Sequence, residues 1–422
     1  MTSAVIIGGG VIGLSVAWRA AQRGISVTLA DPAPGRGASY AAAGMLTPAA
    51  EAAYAEKDLF TFGLESLRRY PGFVAELTAR TGEQTGFRQT GTLQVGYDAD
   101  DLAVLHEAQA LQESLGVAAQ RLTSRECRAA EPMLDPSVRG GLLTTSDGSI
   151  DPRLLTTALQ AAARQAGVTM LPKQVTEVEV TSGPGAGPGR AQGVRLADGT
   201  RITADHVVLA AGWQSGQLRG LPPGSLPPIR PVKGQILRLR ASGGAALPGR
   251  CVRGIVRGRP VYLLPRDSGE LVVGATQEEL GADTRVTVGG IWELLRDART
   301  LVPGITELDF AEAIAGLRPG TPDNAPVLGP AGLPGVVLAT GHFRGGVLLA
   351  PITAEVVAEY LATERMPAVA AAFAMTRFAT AGRTPGASGR PGIGGRPGGG
   401  GRPGGGGRPG GGARPGTEGG RP

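Results

Sequence analysis

Apolar positions fall into two rhythms along this chain. Short unbroken runs, Ala4–Gly8 and Ser26–Asp31 (SVTLAD), flank a stretch from Val11 to Gly24 whose apolar residues recur at helical spacing. Runs of that length bounded by glycine predict strands buried on both faces, with the middle segment a helix laid across them. Val168–Leu171, His206–Ala211 (HVVLAA) and Val336–Thr340 (VVLAT) predict further buried strands, and Arg153–Ala166 and Val347–Leu361 predict helices. The second rhythm is alternation. Gln235–Arg240, Val261–Pro265 and Leu271–Ala275 alternate as antiparallel strands with one covered face do. Phe87–Val95 (FRQTGTLQV) predicts a strand pair, and Glu177–Val180 with Ala191–Leu196 a hairpin around the Gly/Pro-rich loop Gly183–Gly189. Asp58–Thr81 and Asp100–Leu115 carry helical spacing, the latter aligning Leu102, Leu105, Ala108 and Leu111 on one face.

The opening strand–helix–strand unit carries Gly8-x-Gly10-x-x-Gly13 at the turn into the helix, and Asp31 closes the second strand. Glycines there permit a tight turn and close approach of a pyrophosphate. The helix N-terminus supplies N–H donors and positive dipole, and the acid can accept the ribose hydroxyls. Parallel-type strands at the start, middle and end of the chain enclose the alternating segments. This predicts an α/β fold with α+β insertions. A discontinuous Rossmann-like dinucleotide-binding domain takes residues 1–85, 142–222 and 319–381, and a second, antiparallel-sheet substrate domain takes 86–141 and 223–318. The segment 382–422, built on GRPGGGG repeats, offers no apolar surface to bury and is expected to be disordered.

Charge changes the picture less than its total implies. The 422 residues hold 42 basic and 36 acidic side chains, a net charge of +6. Seven of the arginines and one acid (Glu418) lie beyond Gly382, which leaves 35 of each sign in the body. The basic balance thus belongs to the tail and does not mark the fold as a nucleic-acid or membrane binder. A nucleic-acid-binding module in the tail stays open as an alternative, although its arginines lack interleaved aromatics for base stacking. The two cysteines, Cys127 and Cys251, have no disulfide or zinc spacing. The start of the chain has no basic leader, and the apolar run Val5–Trp18 is too short and glycine-rich to span a bilayer. A cytoplasmic location is the expectation.

FAD is distinguished from NAD by two late features. Val207–Gly212 (VVLAAG) is an apolar strand with a small-small-Gly turn, as is Val337–Gly341 (VLATG), which runs into His342-Phe343-Arg344-Gly345-Gly346. Gly341, Gly345 and Gly346 would bring backbone and the following helix N-terminus to a flavin ring. Over residues 1–375 the chain resembles glycine oxidase and its D-amino-acid-oxidase relatives. The resemblance rests on GGGVIGLSVAW, SYAAAGMLTPAAE, FRQTGTLQVG, DGSIDPRLL, VVLAAGWQS, YLLPR, AGLRPGTPDNAPVLG and GHFRGGVLLAP. It implies noncovalent FAD contacted by Val11, Ile12, Asp31, Pro32, Ala38, Ser39, Ala43, Gly44, Met45, Val175 and the run His342, Phe343, Arg344, Gly345, Gly346, Val347 and Leu348. Gly8, Gly10, Gly13 and Gly212 join these from their turns. The chain departs from the family at Ala38, where a hydroxyl residue is common, and at Gly345, where Asn is common. The sarcosine-oxidase branch carries a flavin-linking Cys near Leu317–Arg318, and this chain has none.

Arg318, in GLRPGTPD, and Arg344, in the Gly-rich loop, are the candidate carboxylate ligands, with Tyr262 of VYLLPR as a third donor; the resemblance assigns these roles. Arg266 reads as structural. His106, His206, His342 and Cys127 offer no catalytic pairing, and no side-chain base is assigned. A neutral amine held against a flavin can pass its Cα hydride without one. The resemblance thus implies oxidative deamination of glycine, with sarcosine or small D-amino acids as further substrates. Oxygen is the acceptor, the products are glyoxylate, ammonia and hydrogen peroxide, and thiazole synthase of the thiamine pathway is the downstream partner. A D-amino-acid dehydrogenase passing electrons to a quinone is the alternative, and a homo-oligomer is allowed.

Overall fold

The computed structural model describes residues 2–51, 56–181 and 189–378. Six strands form a sheet in the spatial order Val327–Pro330, Val336–Thr340, His206–Leu209, Ser3–Ile7, Ser26–Ala30, Thr169–Leu171. All neighbours are parallel except the edge pair Val327–Pro330 with Val336–Thr340. The unbroken apolar runs of Ser3–Ile7, His206–Leu209 and Val336–Thr340 follow from burial on both faces. On one face lie the helices Val11–Gln22, Pro152–Gln165 and Ala350–Thr363, sharing a core that holds Leu14, Trp18, Leu155, Leu159, Ile352 and Val357. On the other lies a three-stranded antiparallel sheet, Val175–Val180, Ala191–Leu196 and Arg201–Thr203, packed on Val5, Ile7, Val207 and Leu209. The helix Val11–Gln22 is buried from Val11 to Ala20 because it is covered by the sheet below and by helices beside it.

A second sheet has eight strands, in the order Asp309–Gly320, Arg230–Arg240, Glu270–Gly274, Arg259–Pro265, Cys251–Val256, Thr92–Gly96, Gly140–Thr144, Gln120–Thr123. It is antiparallel throughout except where Cys251–Val256 runs parallel to Thr92–Gly96, so the expected antiparallel sheet is mixed at one seam. The parallel pair joins the two halves of the insertion, which are separated in sequence by the return to the first sheet. Two strands, Gly140–Thr144 and Asp309–Gly320, run past the expected domain limits at 141/142 and 318/319. Their pairing continues across those limits: Leu142 faces Gln94, and Gly320 faces Arg230.

Other expectations shift locally. Phe87–Val95 holds one strand, Thr92–Gly96, and an isolated bridge from Arg88 to Ser149, in place of a strand pair. The helix expected from Val347 starts at Ala350, behind a short 3-10 turn at Phe343–Gly345. The helix Lys57–Thr81 continues through Pro71 and ends on Gly82 at φ 74°. Helix Val288–Leu301 went unpredicted. The loop expected around Gly183–Gly189 lies, apart from Gly189, outside the described residues, as does the tail 382–422. Among the described residues no helix is long and apolar enough to cross a membrane.

Candidate active site

A cavity of about 790 Å³ opens at the carboxyl ends of Ser3–Ile7, Ser26–Ala30 and His206–Leu209. The chain leaves Ser3–Ile7 to one side toward Ser26–Ala30 and returns to its other side as His206–Leu209. This is the switch point at which an open α/β sheet leaves a crevice. Every residue with an expected cofactor contact lines this cavity except Gly13, and so do Arg318, Arg344 and Tyr262.

At the nucleotide end the glycines act differently from one another. Gly8 sits at φ +103°, and a Cβ there would meet Ala210 O at 2.5 Å, so the turn is open to glycine alone. Gly13 departs from expectation: its Cβ position lies 1.9 Å from Gly8 O. It lets the helix press on the turn and does not reach the cavity. Asp31 is fixed from behind, Oδ2 accepting from Gly9 N at 2.6 Å and Oδ1 from Ala33 N at 2.7 Å. Ser39 Oγ accepts from Val11 N at 3.0 Å, which places a hydroxyl at the helix N-terminus. This glycine-floored cradle, with an anchored carboxylate and a helix N-terminus, fits a dinucleotide.

At the far end two backbone segments converge. The turn His342–Leu348 is tied from below by the helix Lys57–Thr81: Tyr70 OH donates to Val347 O, and Ser66 Oγ donates to Leu348 O at 2.6 Å. Phe343 is held at φ 45°, a conformation side chains rarely adopt. His342 is buried, its Nε2 3.1 Å from Thr353 Oγ1, and burial pushes its pKa down to about 3, so it is neutral at ordinary pH. The segment Ala43–Met45 is fastened by Arg266, which donates to Ala43 O and, at 2.6 Å, to Ile150 O. Arg266 is therefore structural, and what it holds is a cavity wall.

Two of the substrate candidates, Arg318 and Tyr262, come from the second sheet, and the third, Arg344, from the turn His342–Leu348. Arg318 stands opposite Val232 on paired strands, and its Nη1 donates to Lys233 O and Thr276 O, each at 3.3 Å. Two bare glycines make room: a Cβ at Gly234 would lie 2.3 Å from both Arg318 terminal nitrogens, and one at Gly274 would lie 2.2 Å from Tyr262 OH. Burial pushes the Tyr262 phenol up to about 12, leaving it a neutral donor. Burial also lowers the Arg318 guanidinium from its usual range, against the opposing pull of Tyr262 and with the help of the Arg344 charge. Arg344 is exposed. Among the described residues neither Arg318 nor Arg344 has a carboxylate within ion-pair distance.

Sequence reasoning missed Glu51, which lines the cavity and is neutralised by Arg253 at 2.9 Å. It also missed Arg36, Gln214 and Arg219 along the wall. No local motif marks these positions. The remaining candidates stay apart: His106 and His206 do not line the cavity. Cys127 and Cys251 are buried thiols pushed up to about 11 and about 12 by burial. Among the described residues no cluster of His, Cys, Asp and Glu could hold a metal.

Comparison with known proteins places this geometry. A family model described as DAO, FAD dependent oxidoreductase, matches residues 3–360. The "Bifunctional protein ThiO/ThiG" of Synechocystis sp. is 34% identical over 90% of this chain, which covers 55% of that relative. The chain thus spans about half the length of such bifunctional relatives. A "Glycine oxidase" of Geobacillus kaustophilus is 31% identical over 88% of this chain and 96% of its own length. The crystal structure of glycine oxidase from Geobacillus kaustophilus superposes with a TM-score of 0.80 at 29% identity, covering 89% of this chain and 99% of that one.

Proposed function

The chain belongs to the DAO family of FAD-dependent oxidoreductases, and on that premise we propose that it catalyses the oxidative deamination of glycine. Its products are glyoxylate, ammonia and hydrogen peroxide; sarcosine and small D-amino acids are further candidate substrates, giving methylamine or the corresponding 2-oxo acid in place of ammonia or glyoxylate. The observation that carries the reading is Arg318. It is a half-buried guanidinium without a carboxylate partner among the described residues, set beside the neutral phenol of Tyr262 in the wall of a dinucleotide-sized cavity. Once a ligand covers it, a charge so placed is costly unless something pairs with it. The carboxylate of a small amino acid supplies the pair, and Tyr262 OH donates a further hydrogen bond.

FAD held by the Gly8–Gly10 turn, Asp31 and the turn His342–Leu348 would supply a two-electron acceptor for the amine, with oxygen as the final acceptor. The protein's own part is binding and orientation. Arg318 and Tyr262 fix the carboxylate, and the turn His342–Leu348 with the loop Ala43–Met45 shapes the wall against which the Cα is presented. His342 is neutral and hydrogen-bonded to Thr353, which holds the turn in place. We infer further that the product feeds the thiazole branch of thiamine synthesis, with thiazole synthase as the downstream partner. The support is likeness to the bifunctional ThiO/ThiG relatives.

The test is peroxide release from glycine, sarcosine and D-alanine by the purified flavoprotein, with glyoxylate formed from glycine and sarcosine and pyruvate from D-alanine. Glycine turnover with stoichiometric peroxide is expected. Turnover only with a quinone acceptor would replace the reading by a dehydrogenase.

A further inference from the structure

We propose that Glu278 is a positioning residue for carboxylate capture: it locks the carbonyl groups of Lys233 and Thr276, and through them the guanidinium of Arg318. The inference rests on the reading of Arg318 as the carboxylate ligand.

Arg318 is aimed by two neutral acceptors at 3.3 Å, long and weak contacts for a guanidinium. Its direction is therefore only as definite as those two carbonyls. Both belong to one polar knot. Lys233 and Glu278 exchange backbone hydrogen bonds in both directions, at 2.9 and 3.0 Å, so Lys233 O accepts from Glu278 N as well as from Arg318. Thr276 is tied to Gln235: its backbone N donates to Gln235 O at 3.2 Å, and Gln235 N donates to Thr276 Oγ1 at 2.8 Å.

The Glu278 carboxylate gathers these pieces. Oε1 accepts from Thr276 Oγ1 at 2.6 Å and from Gln235 Nε2 at 2.8 Å. Oε2 lies 3.4 Å from Lys233 Nζ, which also reaches Asp283 at 3.2 Å. Gln235 extends the knot to the next helix, its Oε1 accepting from Thr287 N at 2.8 Å. The space for it is kept by Gly290, whose Cβ would lie 2.5 Å from the Gln235 amide.

A loop that needed only to be stable would not require this arrangement. Lys233 is fully buried, and burying an ammonium with its acids gains little over apolar packing of the same volume. What such a knot adds is a single geometry. Here the geometry it defines is the pair of carbonyls behind the substrate-facing arginine.

The test uses the flavin-loaded enzyme, titrated with glycolate, a carboxylate of glycine's size without the amine, and assayed with glycine. The variants are Glu278→Gln, which keeps shape and removes charge, Thr276→Val, Arg318→Ala, and the double variant Arg318→Ala with Glu278→Gln. Glu278→Gln should raise the glycolate Kd and the glycine KM roughly tenfold, as a displaced binding group does. It should leave kcat within about twofold and flavin content intact. Thr276→Val should act in the same direction, and it carries the test if Glu278→Gln does not hold flavin. In the Arg318→Ala background, Glu278→Gln should have no further effect on kcat/KM, since its action runs through Arg318. An undiminished effect in that background overturns the proposal, as does an unchanged glycolate Kd in both single variants while Arg318→Ala is impaired. Wild-type kinetics in Arg318→Ala would overturn the reading of Arg318 itself, and the proposal with it.

Discussion

The guanidinium of Arg318 rests against the backbone of Gly234, so closely that a Cβ at Gly234 would stand 2.3 Å from both of its terminal nitrogens. The backbone at Gly234 is not in the left-handed region, so alanine is conformationally acceptable there and acts only through the space it takes. Gly234→Ala should push the arginine off its carbonyl acceptors and lower kcat/KM for glycine at least roughly tenfold. FAD content should not change. Steady-state kinetics and the flavin-to-protein absorbance ratio check both parts; unchanged kinetics would show that Arg318 has somewhere else to go.

Arg318→Ala removes the charge itself. Breaking one side of a buried pair costs about 3–5 kcal/mol, so kcat/KM for glycine should fall on the order of a hundredfold or more. Arg318→Lys should recover only part of this, because a point charge cannot reproduce the planar fork. A simple amine without a carboxylate should be nearly indifferent to either change. If glycine kinetics survive Arg318→Ala, the carboxylate site must be rebuilt around Arg344 and Tyr262.

Gly13 makes a different prediction from its neighbours in the glycine motif. A methyl group there would lie 1.9 Å from Gly8 O, inside the contact between helix and strand. Gly13→Ala should destabilise the fold by roughly 1–3 kcal/mol and weaken FAD retention by moving the turn, without touching the dinucleotide. Thermal unfolding of the apoprotein separates the two effects. A variant with normal apoprotein stability and lost flavin would place Gly13 at the cofactor after all.

Asp147 gives the pH dependence. Its carboxyl is fully buried, and burial, outweighing the Thr92 hydroxyl and the Arg253 charge beside it, pushes its pKa up to about 7. In the unfolded chain an aspartate titrates near ~4. Between these values the unfolded state releases a proton that the folded state retains, so stability falls as pH rises from about 4 to about 7 and stays low above that. Asp147→Asn removes the penalty. Its stability relative to wild type should therefore improve from pH 4 to pH 8, by up to about 4 kcal/mol. Denaturant unfolding at the two pH values measures this, and an advantage that shrinks with pH would mean that the carboxylate is ionised and paired in the fold.

Five of the six strands of the first sheet, and the glycine turn that opens the cavity, are legible in the sequence; the edge strand Val327–Pro330 is not. Strands buried on both faces are written as continuous apolar runs, so Ser3–Ile7, Ser26–Ala30 and Val336–Thr340 emerge within a residue or two of their observed limits. The Gly8–Gly10 turn and Asp31 are legible because a strand, a turn and a helix N-terminus are neighbours along the chain. The second sheet was read only in part. Cys251–Val256 and Gln120–Thr123 were missed, and Gly289 and Gly290 in its first turn obscured the helix Val288–Leu301.

The rest of the site is built where distant segments meet. Gly234 and Arg318 are apposed because two strands pair in one register, and a shift of a single residue would turn Arg318 to the opposite face. Glu278 reaches Lys233 and Gln235 across a loop, Arg266 reaches back to Ala43, and Tyr70 reaches forward to Val347. None of these partners is marked by local spacing. Local pattern records which face of an element is buried, whereas the identity of what buries it is set by register and packing between segments tens to hundreds of residues apart.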